Sequence, residues 1–467
     1  MHAALAAHRF GLGVPSLTGS GTDPVGWLVA QLGPAETQRG VELVSGLEGT
    51  KAYAEFQRRQ REQRAATSAS ASMDGSAAGQ PAADPMRVIV EADIRARLST
   101  AALSTQPFNE RLALFWANHF TVSRLKGSTR GVVGAFEREA IRPHIGGSFE
   151  ILLKAAVHHA GMLRYLDNDN SAGPDSTVVR QRARRAQAAD APALGPTGLN
   201  ENLAREVLEL HTLGVQGGYS QADVTEFARV LTGWRAPLRE ALAAAPGSDA
   251  ARFQPAWHQP GAKTVLGRRY AEGPDALDAV LHDLALHPST ARFVATKLVR
   301  HFVADDPPPA VVAQLAVQFL ATGGDLPSVM RSLLQAPQAW APQAVKLKTP
   351  EEFVISTARL LQLGEQAFAR QPDGAISQLG QRVQGAASPA GWPDRAEDWL
   401  GPDAVWKRIE WATRVAARVG RTTDARALAQ ASLGPLLQAA TLRQIENAVD
   451  GPQALALLLM APEFQRR

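Results

Sequence analysis

The 467-residue sequence predicts a mainly α fold: a large multi-helix, bundle-like domain with flexible insertions and at most a small β-hairpin near 253–270. Three observations predict it. Apolar residues recur at helical spacing through most of the chain. Clusters of Gly, Pro and Asp separate those runs at turn-like intervals. Strand-like runs do not alternate with the helical ones, which argues against a doubly wound sheet or a β/α barrel. With 45% hydrophobic and 20% charged residues the composition is that of an ordinary globular chain, far from a disordered one.

The elements follow in order. Phe108, Leu112, Phe115, Trp116, His119 and Phe120 form a stripe at helical spacing, with Asn109 placed to cap it. Pro143 and Gly146-Gly147 end the next helix, which carries Phe136 and Ile141. From Phe149 a further helix presents Leu152, Ala156, His159, Met162 and Leu166 on one side and stops at the turn cluster Asp167 to Asn170. Asn200 to Leu213 is helical, with Gly214 as its stop. Ser220 and Asp223 read as a capping box for a helix with Val224, Phe227 and Leu231 inward. Residues 253–270, with Pro255, Pro260, Gly261 and Gly267, read as a loop or hairpin. Pro288-Ser289 opens a helix through Val303, another covers 310–321, and the C-terminal third continues the pattern.

Three stretches interrupt the single helical domain expected over 1–467. Residues 61–85 read as a flexible connector, and 180–196 and 235–252 as exposed loops or insertions. No fixed-period repeat suggests a solenoid.

Composition also bounds the chemistry. There is no Cys, so a disulfide, a thiolate metal site or a Cys nucleophile is excluded, and any metal would need His, carboxylate or amide ligands. The net charge of +4 is spread over 41 Arg and 8 Lys, and the run Arg180 to Arg185 lacks interleaved aromatics, so no nucleic-acid partner is expected. No P-loop, GxGxxG or GxSxG segment is present. No apolar run of membrane-spanning length occurs, and Met1 to Gly13 is too polar for a leader. The default location is cytoplasmic, with a periplasmic or envelope-associated one kept beside it.

Candidate chemistry gathers on a few helices. On the Asn200 to Leu213 helix, Asn202, Glu206 and Glu209 share a narrow arc flanked by Glu201 and Arg205. Two carboxylates at i, i+3 can share one divalent cation, or simply form a solvated face. His211 lies on the opposite, apolar side, so Glu209 and His211 cannot meet unless the helix unwinds before Gly214. His119, His159 and His211 sit on apolar sides of their helices and read either as packed neutral imidazoles or as ligands converging in a bundle core. Arg142 and His144 flank Pro143, where they can hold an anion or cap carbonyls. Asp167 and Asn168 make an oxygen-rich turn. Lys297 and Arg300 read as anion binders or as solvated surface cations. Trp392, Trp399, Trp406 and Trp411 read as core aromatics or a partner groove.

Residues 198–234, GLNENLAREVLELHTLGVQGGYSQADVTEFARVLTGW, resemble the signature of the bacterial family catalogued as domain of unknown function 1800. ERLALFWANHFTVS at 110–123, IRPHIGGSFEILLKAAVHHAGMLRYLDN at 141–168, HPSTARFVATKLVRHFV at 287–303, KLKTPEEFV at 346–354 and SPAGWPD at 388–394 extend the resemblance over nearly the whole chain. It departs from the family pattern at His159-Ala160-Gly161 and at Gln259, where an acidic residue is usual. The resemblance implies a helical fold and a frequent genomic neighbour resembling sulfatases, not a reaction. Two functions follow. One is an enzyme with a polar or metal centre from 110–123, 141–168 and 200–213. Its catalytic groups would be Glu206, Glu209, His211 and Arg205. A divalent metal would sit on His119, His159, Glu206 and Glu209, and substrate on Arg142, His144, Asp167, Asn168 and Asn202. The other is a non-catalytic assembly protein acting with the sulfatase-like partner.

Overall fold

The computed structural model describes residues 1–70, 84–189 and 198–467. Sixty-two per cent of the described residues are helical and their strands amount to two short antiparallel pairs, which places the chain in the mainly α class. Among the described residues no helix is long and apolar enough to cross a membrane.

Many helices start with proline in the first turn, where the missing N–H costs nothing and the fixed φ favours helix entry. Pro85–Leu103, Pro107–His119, Pro288–Phe302, Pro350–Leu360 and Pro402–Val419 all begin this way. This is why Asn109 is not a cap: the helix has already begun at Pro107, and the buried Asn109 amide donates to Gln31 O at 2.6 Å instead. Thr349 with Glu352, and Ser220 with Asp223, form reciprocal capping boxes. The helix from Phe149 breaks at His159, whose ring Nδ1 accepts the Gly161 N–H at 3.0 Å and so caps a second helix, Ala160–Tyr165.

The weakly ordered stretches are more structured than their composition suggests. Helix Gly46–Ser70 runs into the expected connector, and 71–83 lie outside the described residues. Residues 180–188 belong to helix Thr177–Ala188, entered through a Ser176 cap; its Ala, Arg and Gln residues favour helix even though none is buried. The rest of that stretch, 190–196, is outside the described residues. In 235–252, helix Leu238–Ala243 buries Ala241 in a small cluster with Leu47 and Ala160. Strand Trp234–Arg235 pairs with Arg252–Phe253, and Lys263–Val265 pairs with Arg268–Tyr270 as the expected hairpin.

Among the described residues three helical turns widen to i→i+5 hydrogen bonding: Ala6–Phe10, Glu137–Ile141 and Val207–His211. Such bulges recur at functional sites, and each of these holds a buried titratable side chain: His8, Glu137 and His211.

Two large apolar clusters make the core. One gathers Phe10, Phe108, Trp116, Phe149, Phe227 and Phe302. The other gathers Ile94, Leu98, Phe353, Trp411, Leu455 and Phe464. The Pro107–His119 helix serves both: Leu112, Phe115 and Trp116 enter the first, while Leu114 packs on the second. Where the clusters meet, the side chains are charged, and this polar seam positions the site.

Candidate functional site

The seam is a network of buried ion pairs. Arg97 joins Glu137 and Glu351, the latter at 2.8 Å. Glu137 also faces Arg142 at 3.6 Å, and Arg142 clamps Glu110. Glu352 is held by Arg111 and, at 3.1 Å, by Arg467. Arg467 reaches the seam because the last residues pair with 346–348 through Lys346 N to Arg467 O and Lys348 N to Gln465 O. Buried charges survive only when paired and hydrogen-bonded, and the titrations follow. Burial alone would raise the Glu352 carboxyl, but Arg111 and Arg467 overcome it and hold it well below the usual carboxylate range. Glu137 is lowered in the same way, against burial, by Arg97 and Arg142.

Within the seam lies a cavity of about 310 Å³, with apolar walls from Phe115, Val122, Val133 and Phe136 and a polar lining that includes Arg111, His119, Lys297, His301 and Asp394. His301 and Asp394 form an oriented pair. His301 Nδ1 lies 2.8 Å from Asp394 Oδ2. The Asp394 carboxyl is lowered: burial works against this, but His301 and Lys346 outweigh it. The ionised oxygen only accepts, so Nδ1 carries the proton and Nε2 a bare lone pair. That Nε2 is buried with no partner among the described residues. Burial pulls the His301 pKa down while Asp394 pulls it up, and burial wins.

Asp394 is held there by the loop before it. Asn118 brackets Trp392, accepting its N–H at 2.8 Å and donating to its carbonyl at 2.9 Å. Gly391 sits at φ +82°, and a Cβ there would lie 2.5 Å from the Asn118 carbonyl oxygen.

Two further lining residues have unused donors or acceptors. Arg111 gives Nε to Gly11 O at 2.8 Å and Nη1 to Glu352, leaving Nη2 buried and unpartnered. His119 Nε2 lies 3.1 Å from the His211 carbonyl, so it donates, and its Nδ1 has no partner. Among the described residues Lys297 makes neither an ion pair nor a hydrogen bond; its Nζ stands 5.6 Å from the Phe293 ring centre. Burial lowers its pKa to about 8, with Asp394 opposing and Arg300 reinforcing the shift.

The residues singled out in the sequence are dispersed. His119 lines the cavity, and the Val207–His211 turn reaches it only through the His211 carbonyl. His211 itself is fully buried, without a partner on either ring nitrogen, 5.1 Å from the Phe120 ring centre and 6.1 Å from that of His119. Burial and then Lys297 lower its pKa to about 3. Glu209 and Arg205 join Glu201 and Gln221 in a surface network, with Arg205 at 3.5 Å from Glu209 and 3.3 Å from Glu201. Glu206 is half-buried; burial and then Glu209 raise its carboxyl. Asn202 is exposed. Arg142 is fully engaged, donating to Glu36 O as well as Glu110, and His144 is half-buried beside it. Asp167 pairs with Lys126 at 2.6 Å, and the buried Asn168 donates to Leu231 O and Trp234 O. His159 uses both nitrogens, Nε2 at 3.0 Å from Glu139 and Nδ1 on Gly161 N–H, so it has no lone pair for a metal.

The divalent metal expected on His119, His159, Glu206 and Glu209 therefore finds no assembled ligand set: among the described residues no three His, Asp or Glu side chains are grouped to hold one. The residues that do converge, Arg97, Arg111, Lys297, His301, Glu351, Glu352 and Asp394, were missed as a group. A signal existed: Lys297 and His301 are four apart on one helical face, and they, the two glutamates and Asp394 lie in the family-like blocks 287–303, 346–354 and 388–394.

No curated protein and no solved structure matches the chain. The family model described as "Protein of unknown function (DUF1800)" matches residues 6–466. With essentially its whole length covered, the chain belongs to the DUF1800 family.

Proposed function

We propose that the chain is an enzyme that acts by proton transfer on a small anion-bearing substrate held in the seam cavity. The observation that carries this reading is the Asp394–His301 pair, which leaves a bare Nε2 lone pair on a cavity-lining imidazole. A carboxylate that fixes the tautomer and orientation of an imidazole is the arrangement a general base requires. His301 takes or returns the proton, and Asp394 is its positioning residue. Lys297 and Arg300 at the cavity wall, with the unused Nη2 of Arg111, supply donors for an anionic group.

The test is a melting-temperature panel with inorganic phosphate, sulfate, acetate and a dicarboxylate, on the wild type and Lys297→Gln. A ligand at about 100 times its Kd stabilises by roughly 2.7 kcal/mol, which a melting curve resolves. The reading expects at least one anion to stabilise the wild type and Lys297→Gln to lose most of the gain. No response, or an equal response in both proteins, overturns it.

One observation favours the assembly reading as well. On helix Pro402–Val419, Trp406 is 64% exposed and Ile409, one turn on, 40% exposed. An aromatic on an open face suits a partner contact, and Trp406→Ala should abolish co-purification with the sulfatase-like neighbour if the two associate there.

A further inference from the structure

The lysines of this chain divide by what they touch. Among the eight, all within the described residues, six are committed. Lys126, Lys154, Lys346 and Lys407 are ion-paired. Lys51 donates to Ala244 O, and Lys263 contacts His258 Nε2 and Gln259 O. Lys348 is unpartnered but sealed in the interior against the Phe464 ring. Lys297 alone of these eight combines a free amine with a place on a cavity wall.

We infer that Lys297 is a carbonyl-capturing amine, condensing in the seam cavity with an aldehyde or ketone that also carries a carboxylate. The inference rests on the anion-binding reading of the same cavity and names its substrate class. The Nζ lone pair forms a C–N bond to the carbonyl carbon, the carbonyl oxygen takes up protons and leaves as water, and a protonated imine remains. Amine plus carbonyl becomes imine plus water, with no oxidant or reductant.

Three features support this over simple charge pairing. First, among the described residues no carboxylate is within ion-pair distance of Nζ, although Asp394 faces it more remotely. A lysine kept for binding anions as a point charge needs no shift; one kept partly neutral by its surroundings is a nucleophile. Its pKa of about 8 leaves a substantial neutral fraction near neutrality. The groups facing it are Arg300 on its own helix, His119 and His211 from their helices, and Asp394 from the loop, and both imidazoles are held neutral by burial first. Second, His301, one turn along the same face, has a bare Nε2 for the proton traffic of addition and dehydration. Third, Arg300 and Arg111, the latter with its Nη2 unpartnered among the described residues, line the same space, and their planar guanidiniums suit the carboxylate of the substrate.

The experiment uses the full-length chain, a limiting amount of glyoxylate and cyanoborohydride, with peptide mass mapping of the reduced adduct. Acetaldehyde is the comparison without a carboxylate. The inference expects Lys297 to be modified at least tenfold faster than Lys126, Lys154 or Lys407. It expects a smaller preference with acetaldehyde and a rate that rises as pH passes through about 8. Modification of Lys297 no faster than those three overturns it. A wild type that is stabilised by anions yet never selectively trapped refutes the imine and leaves the anion site standing. A wild type that no anion stabilises refutes the site itself.

Discussion

Replacing Glu352 by Gln removes one negative charge from the centre of the seam and nothing else of comparable size. In the native protein that carboxylate faces Arg111 and, at 3.1 Å, Arg467, and it accepts the Thr349 N–H at 2.9 Å as half of a capping box. At about 3 Å and an effective dielectric of about 20, each ion pair carries roughly 5 kcal/mol before desolvation. Desolvation cancels most of that in the intact pair. In the variant that cost is no longer offset, because buried Arg111 loses its ion-pair partner and buried Arg467 is left with Asp394 at 3.6 Å. Breaking a buried pair by removing one partner costs about 3–5 kcal/mol, and the amide can still cap, so Glu352→Gln should lose about that much. The assay is urea denaturation with the midpoint followed by circular dichroism. Glu91→Gln, which removes the exposed i, i+4 pair with Arg87, is the control and should change stability by less than about 1 kcal/mol. The pH dependence has a definite sign. Glu352 has a lower pKa folded than unfolded, so its stabilisation is complete above the ordinary carboxylate pKa near 4.5 and drains away as pH falls below it. Glu352→Gln should therefore flatten part of the acid limb. A loss under about 1 kcal/mol, or an unchanged acid limb, would refute the claim that the seam is a tightly coupled buried network.

The other predictions are smaller. Gly391→Ala forces a positive φ on a residue with a Cβ and drives it into Asn118, so it should cost about 1–3 kcal/mol by denaturation and weaken the His301–Asp394 pair. His159→Gln removes the Glu139 contact and the cap on Gly161, so it should cost about 1–2 kcal/mol while leaving anion-induced stabilisation in the seam intact. Glu209→Gln disturbs only a part-exposed surface network and should shift stability by less than about 1 kcal/mol, with no effect on anion binding.

How much of this was legible in the sequence depends on the length scale of the cause. The helices were, because Pro288, Thr349-Pro350 and the Ser220–Asp223 box are local signals for entry, and periodic apolar positions mark the buried face. The break at His159 was not, because an imidazole serving as a cap looks the same in the sequence as one on a continuing stripe. The exposed Thr177–Ala188 helix was missed because a helix that buries nothing leaves no periodicity. For the site, Glu206 and Glu209 drew attention by their spacing, yet their helix widens to i→i+5 bonding at Val207, where 100° steps no longer hold. The seam is built from pairs such as Arg97–Glu351 and Arg111–Glu352, which are hundreds of residues apart. No local pattern ties a carboxylate to a guanidinium at such range; the fold alone brings them together.

The central claim is that Asp394 presents a proton-transfer imidazole to an anion-binding cavity, and the direct measurement is the 15N multiple-bond NMR spectrum of His301, with and without the anion that most raises the melting temperature. The account predicts the tautomer protonated at Nδ1, a bare Nε2 whose resonance moves when the anion is added, and loss of the preferred tautomer in Asp394→Asn. A His301 protonated at Nε2, or one whose resonances ignore the anion, would contradict it.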